Sequence, residues 1–107
     1  MQTIHLNKFG NVLISRPAGL EAFNAMRPQI DRKIPVQIDF DDVLTVTPSW
    51  LDEFLIQLTD YMDAHVELLP TENASVLATL PTLAEAREDR VSETVSRALK
   101  RMQKTRK

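Results

Sequence analysis

The segment from Val36 to Asp63 constrains the fold more than any other part of the chain. Val36, Ile38 and Phe40 alternate with Gln37 and Asp39, the period of a strand with one buried face. Asp41 and Asp42 then favour a turn, Val43 to Val46 is apolar and extended, and Thr47 followed by Pro48 marks a helix start. The threonine hydroxyl can accept a hydrogen bond from a free backbone amide, and the proline sits where no amide donor is needed. Leu51, Phe54, Leu55, Leu58, Tyr61 and Met62 follow at spacings of three and four, with Asp52, Glu53, Gln57, Asp60 and Asp63 around them. Asp52 and Glu53 are expected in the first turn, where they would complement the helix dipole.

On either side the signals are shorter. Thr3 to Leu6 and Val12 to Ile14 favour strands, and Asn7 to Asn11 between them includes Gly10 and Asn11, either of which can take a positive φ; this predicts a hairpin. Ser15 as cap, Pro17 in a first turn and Leu20, Phe23 and Met26 at helical spacing predict a short helix ending near Arg27, before Pro28. His65 to Leu69, closed by Pro70, reads as a further strand. Pro81 is expected to interrupt or kink a helix begun at Thr71, with Thr82 capping a second helix from Leu83 to about Met102. The expected fold is α/β. Residues 1–82 form a small mixed sheet of about four strands covered by helices, and residues 83–107 form a long, charged C-terminal helical segment, either part of the same domain or projecting from it.

The 107 residues, 43% hydrophobic, suffice for one modest core. No cysteine is present, which excludes disulfides, thiolate metal sites and a cysteine nucleophile, and suits a reducing compartment; a cytoplasmic location is expected. No apolar run approaches the ~20 residues of a membrane helix, and residues 1–20 lack the pattern of a secretory signal. Residues 1–96 carry 7 basic and 15 acidic side chains, net −8, whereas residues 97–107 carry 6 basic and none acidic. Such a body repels a polyanion, so the basic run Arg97, Lys100, Arg101, Lys104, Arg106, Lys107 reads first as a solvated helix end and nucleic-acid binding is not expected. Asp39, Asp41 and Asp42 lack a second cluster to complete a metal site, and His5 and His65 lie in strands with no nucleophile motif beside them. Neither a metal, a cofactor nor catalysis is expected.

The string from Ile38 to Leu51, Ile-Asp-Phe-Asp-Asp-Val-Leu-Thr-Val-Thr-Pro-Ser-Trp-Leu, resembles the STAS domains, the family of the bacterial anti-sigma-factor antagonists. In that family a strand ending hydrophobic-Asp-hydrophobic leads through a short apolar stretch to an Asp-Ser-Ser-Gly-Leu turn that opens a helix. Ile14-Ser15-Arg16 and Ser49-Trp50-Leu51-Asp52-Glu53 resemble more closely a STAS-like branch in which Ile-Ser-Arg precedes the first helix. The resemblance covers roughly residues 3–80. It implies a regulatory protein-interaction domain whose partner is an ATPase of the histidine-kinase-like type. The family's phosphorylated serine falls on Pro48, which has no hydroxyl, so the phospho-switch does not transfer. Ser49, matched to the next serine, is the remaining candidate for phosphorylation, at a helix N-terminus that favours an added phosphate.

The candidate partner-binding residues are therefore Thr47, Ser49, Trp50, Asp52 and Glu53. Trp50, the only tryptophan, is offset from the apolar stripe, which leaves two readings: an exposed anchor for a partner, or burial under the first helix. A second functional reading is a structural or assembly subunit that forms homo-oligomers through Val91, Val95, Leu99 and Met102 of the C-terminal helix.

Overall fold

A computed structural model describes residues 1–86 and 90–105. Its elements, in chain order, are β1 (Gln2–His5), β2 (Val12–Leu13), α1 (Arg16–Met26), β3 (Val36–Asp39), β4 (Thr45–Val46), α2 (Pro48–Tyr61), β5 (Val66–Leu68), α3 (Ala74–Ala86) and α4 (Arg90–Thr105). The chain is α/β. Strands β1, β3 and β5 form a parallel sheet in that order, with Ile4 beside Ile38 and Ile38 beside Leu68. β2 and β4 form a second parallel pair, with Val12 beside Thr45 and Leu13 beside Val46. The strands step one way across the larger sheet, so right-handed crossovers place α1 and α2 on the same face. That face is the core: Ile4, Val36, Ile38, Val66 and Leu68 are buried there, packed in one cluster with Phe23, Leu51, Phe54, Leu55 and Leu58. The residues between them, Thr3, Gln37 and Glu67, are half-buried, and Gln37 Nε2 donates to Thr3 Oγ1 at 2.9 Å.

The expected hairpin and mixed sheet do not form; every strand pair among the described residues is parallel. The end of the expected first strand, Leu6, and one residue of the expected loop, Phe9, turn to the interior instead. Leu6 to Phe9 is one turn of 3₁₀ helix in which Leu6 is fully buried and Phe9 packs against Trp50 and Phe54, with ring centroids 6.3 and 5.9 Å apart. After Gly10, at φ 119°, β2 pairs in parallel with β4 in the second, two-stranded sheet. In α1 the buried face is Gly19, Ala22, Phe23 and Met26, and Leu20 is on the outside.

Pro81 does not interrupt its helix either, since α3 runs through it to Ala86. An interior proline costs about 3 kcal/mol, largely because the carbonyl four residues earlier loses its donor. Val76, Leu80 and Leu83 are buried on the same helix, and at about 1.5–3 kcal/mol per buried side chain they outweigh that cost. The helix expected from Leu83 to Met102 is thus divided between α3 and α4, with residues 87–89 outside those described. In α4, Val91, Val95, Ala98 and Met102 belong to the core cluster, at 2, 0, 0 and 3% exposure. Three of the four residues expected to join two copies, Val91, Val95 and Met102, are packed inside one chain, and the fourth, Leu99, is half-buried against the same cluster.

Side chains of α3 and α4 close one side of the sheets. Ser75 Oγ accepts from Val46 N and donates to Val46 O, both at 2.9 Å, and Thr79 Oγ1 donates to the same carbonyl. Arg97 Nη2 donates to Val66 O at 3.2 Å and Arg101 Nη2 to Leu68 O at 2.7 Å, so these arginines occupy the outer carbonyls of β5. Glu67 lies between them, with Arg97 Nε 3.3 Å from Oε1 and Arg101 Nη2 3.0 Å from Oε2, the latter an ion pair whose angles fall outside hydrogen-bond geometry. Two cations of the basic run therefore have structural partners.

Candidate functional site

The turn that opens α2 is built as its sequence implies. Thr47 is in extended conformation, φ −93° and ψ 155°, and its hydroxyl accepts from Trp50 N at 3.4 Å, while Pro48 takes the first helical position. Thr47 N donates to Leu13 O at 3.0 Å, which fastens the turn to the end of β2. Ser49 Oγ is 3.3 Å from Thr47 Oγ1, and both residues are half-buried with Pro48 exposed. The Ser49 hydroxyl thus already has a partner within the capped turn.

The other three candidates belong to the interior. Trp50 is 1% exposed and stacked on Phe54, with centroids 5.1 Å apart and planes 12° from parallel, so the exposed-anchor reading is corrected to burial. Its offset from the stripe hid this, because α2 buries a second face against α1. Asp52 and Glu53 lie beyond the first helical turn, which holds no acidic residue, and their partner is a side chain rather than the dipole. Arg16 Nη1 donates to Asp52 Oδ2 at 3.0 Å and to Glu53 Oε1 at 3.2 Å; the Asp52 side chain is 8% exposed. These two hydrogen bonds, Asp52's first, raise the Arg16 pKa above its ordinary value. Glu53 Oε2 also accepts from Gln57 Nε2 at 2.7 Å.

Arg16 is the residue that the candidate set missed, although it stands in the Ile14-Ser15-Arg16 string. Its neighbour Ser15 caps α1, accepting from Ala18 N at 3.3 Å, and holds φ 77° and ψ 145°, a region nearly reserved for glycine. One turn on, Gly19 faces the backbone of α2: a Cβ there would lie 2.5 Å from Trp50 O. The two strings that carry the family resemblance thus meet at one helix crossing. Comparison with protein-family models, with curated proteins and with solved structures finds no match.

The turn region presents large apolar side chains to solvent, with exposed Asn11, Asp41, Asp42 and Thr45 near them in the chain. Val12, Ile14 and Leu44 are 53, 52 and 66% exposed, in and beside the β2–β4 pair. Asn11 O accepts from the amides of Leu44 and Thr45, which holds the segments bearing these side chains together. Beside them a depression of about 250 Å³ runs between β2 and α1, with Val12, Ile14, Ala18 and Glu21 on its walls and Phe9 and Trp50 at its base. The sequence pattern does not reveal this patch, because alternation along Val12 to Ile14 shows only that one side is exposed.

His5, Asp39, Asp41 and His65 have local partners. His5 Nδ1 is 2.8 Å from Asp39 Oδ2, Asp41 N donates to Asp39 Oδ1 at 3.1 Å, and His65 is bonded to Glu67. No group of three His, Cys, Asp or Glu able to hold a metal ion is found among the described residues. No described helix is long and apolar enough to cross a membrane.

Proposed function

We propose that this chain is a non-catalytic, regulatory protein-interaction domain of STAS-like type that works in the cytoplasm. It presents the capped turn at Thr47 to Ser49 together with Val12, Ile14 and Leu44 to a protein partner. The observation that carries the reading is the exposure of those three side chains next to a rigid turn, since large apolar groups rimmed by polar residues mark contact surfaces. Capping of Thr47 and its bond to Leu13 O keep the turn ordered before a partner arrives, which lowers the ordering cost of association. The resemblance to anti-sigma-factor antagonists suggests a histidine-kinase-like ATPase as that partner. Binding does not depend on phosphorylation in this reading, because Pro48 offers no hydroxyl and the Ser49 hydroxyl is bonded to Thr47. Within the sequence-derived set, Trp50, Asp52 and Glu53 act by holding the turn against α1 rather than by touching the partner.

The test is an Ile14→Asp/Leu44→Asp double variant used as bait in a lysate of the source cells. Both side chains are outside the core, so circular dichroism should be unchanged while the captured partner is lost. Equal capture by both proteins would sink the proposal.

A further inference from the structure

Among the described residues, the two edges of the three-stranded sheet differ, β5 being covered and β1 open. Ser75, Thr79, Arg97 and Arg101 occupy backbone groups of β4 and β5, whereas β1 is an outer strand with no partner beyond it among the described residues. Gln2 N donates to Pro35 O, towards β3, so alternation along a parallel ladder directs the N–H and C=O of Thr3 and His5 outwards. Beside this edge lies a groove of about 350 Å³ between β1 and the end of α1, with Ile4, Phe9, Met26 and Ile30 as its apolar wall. No carboxylate lines the groove, although residues 1–96 are net −8. Lys8 does line it, and it has no ion-pair partner among the described residues.

An open strand edge, a groove for a side chain and a local reversal of charge specify one kind of occupant. We propose that β1 receives an extended segment of a partner protein as an added strand, with a large apolar side chain in the groove and a carboxylate facing Lys8. The backbone of the segment pairs with Thr3 and His5, and side chains on alternate positions turn towards α1. This site is separate from the Val12, Ile14 and Leu44 patch, and Phe9 stands between the two hollows as part of both.

The probe is a phage-displayed library of linear peptides selected on the full chain, with enriched sequences synthesised and titrated. Enriched peptides should alternate apolar residues and carry Asp or Glu, and on binding they should slow amide exchange at Thr3 and His5 at least tenfold. Thr3→Pro removes one outward donor and leaves the backbone bonds to β3 in place, losing only the side-chain bond from Gln37, and should weaken binding more than tenfold. Ile30→Glu, a change at the groove wall, should do the same and covers the case in which Thr3→Pro does not fold. Lys8→Glu should weaken binding about fivefold, the scale of an exposed ion pair. The proposal is overturned if no peptide is enriched, if enriched peptides bind Ile30→Glu unchanged, or if Thr3 and His5 gain protection from self-association of the chain instead.

Discussion

Replacing Gly19 by alanine tests the helix crossing on which the turn rests, because two effects of opposite sign compete there. In an exposed helix interior this substitution is stabilising by about 1 kcal/mol, since glycine is the weaker helix former. Here the new Cβ would lie 2.5 Å from Trp50 O, 3.3 Å from Trp50 C and 3.4 Å from Glu53 Cβ. The nearest of these is a backbone atom in the first turn of α2, which cannot rotate away, so the helices must separate. Separation loosens Trp50 on Phe54 and lengthens both bonds of Arg16, and such overpacking costs about 1–3 kcal/mol. A contact of 2.5 Å to a backbone atom puts the cost in the upper part of that range, about 2–3 kcal/mol, so a net loss of about 1–2 kcal/mol is expected, or roughly 4–12 °C in Tm for a chain of this size. Trp50 is buried at the crossing, so its fluorescence in urea and thermal unfolding reads the effect directly. An unchanged or higher Tm for Gly19→Ala would refute the close approach.

Other expectations follow from the same geometry. Arg16→Met leaves the Asp52 carboxylate nearly buried without its cation, and should cost about 2 kcal/mol by urea denaturation, less than for a fully buried pair because Arg16 is half-exposed; Asp52→Asn should recover part of the loss in the Arg16→Met background. Trp50→Ala removes a stacked, buried ring and should cost about 3–5 kcal/mol, so any loss of binding in that variant must be read beside its unfolding curve. Arg97→Ala with Arg101→Ala frees the outer carbonyls of β5 and should raise light scattering on warming, as expected of an unprotected strand edge.

Local signals are legible where a single stretch of chain decides the outcome. The alternation from Val36 to Asp39, the Thr47-Pro48 start and the stripe through Leu51, Phe54, Leu55 and Leu58 each involve a few neighbouring residues, and each appears in the structure. Pairing direction is different, because it depends on where a strand meets another far along the chain. The hairpin reading therefore failed: nothing local distinguishes a loop from a 3₁₀ turn whose Leu6 and Phe9 enter the core, apart from their spacing of three. An apolar line also does not name what it packs against, so Val91, Val95 and Met102 read equally well as a dimer seam or as core. At the candidate site the cap was legible, whereas the burial of Trp50 and the reach of Arg16 to Asp52 and Glu53 required the crossing made by Gly19.

A photo-crosslinking residue placed at Leu44, compared with one at exposed Asp60 near the far end of α2, addresses the interaction surface most directly. Irradiation in the source cells should yield one discrete partner protein from position 44 and none from position 60. The same products from both positions, or products containing only this chain, would contradict the account.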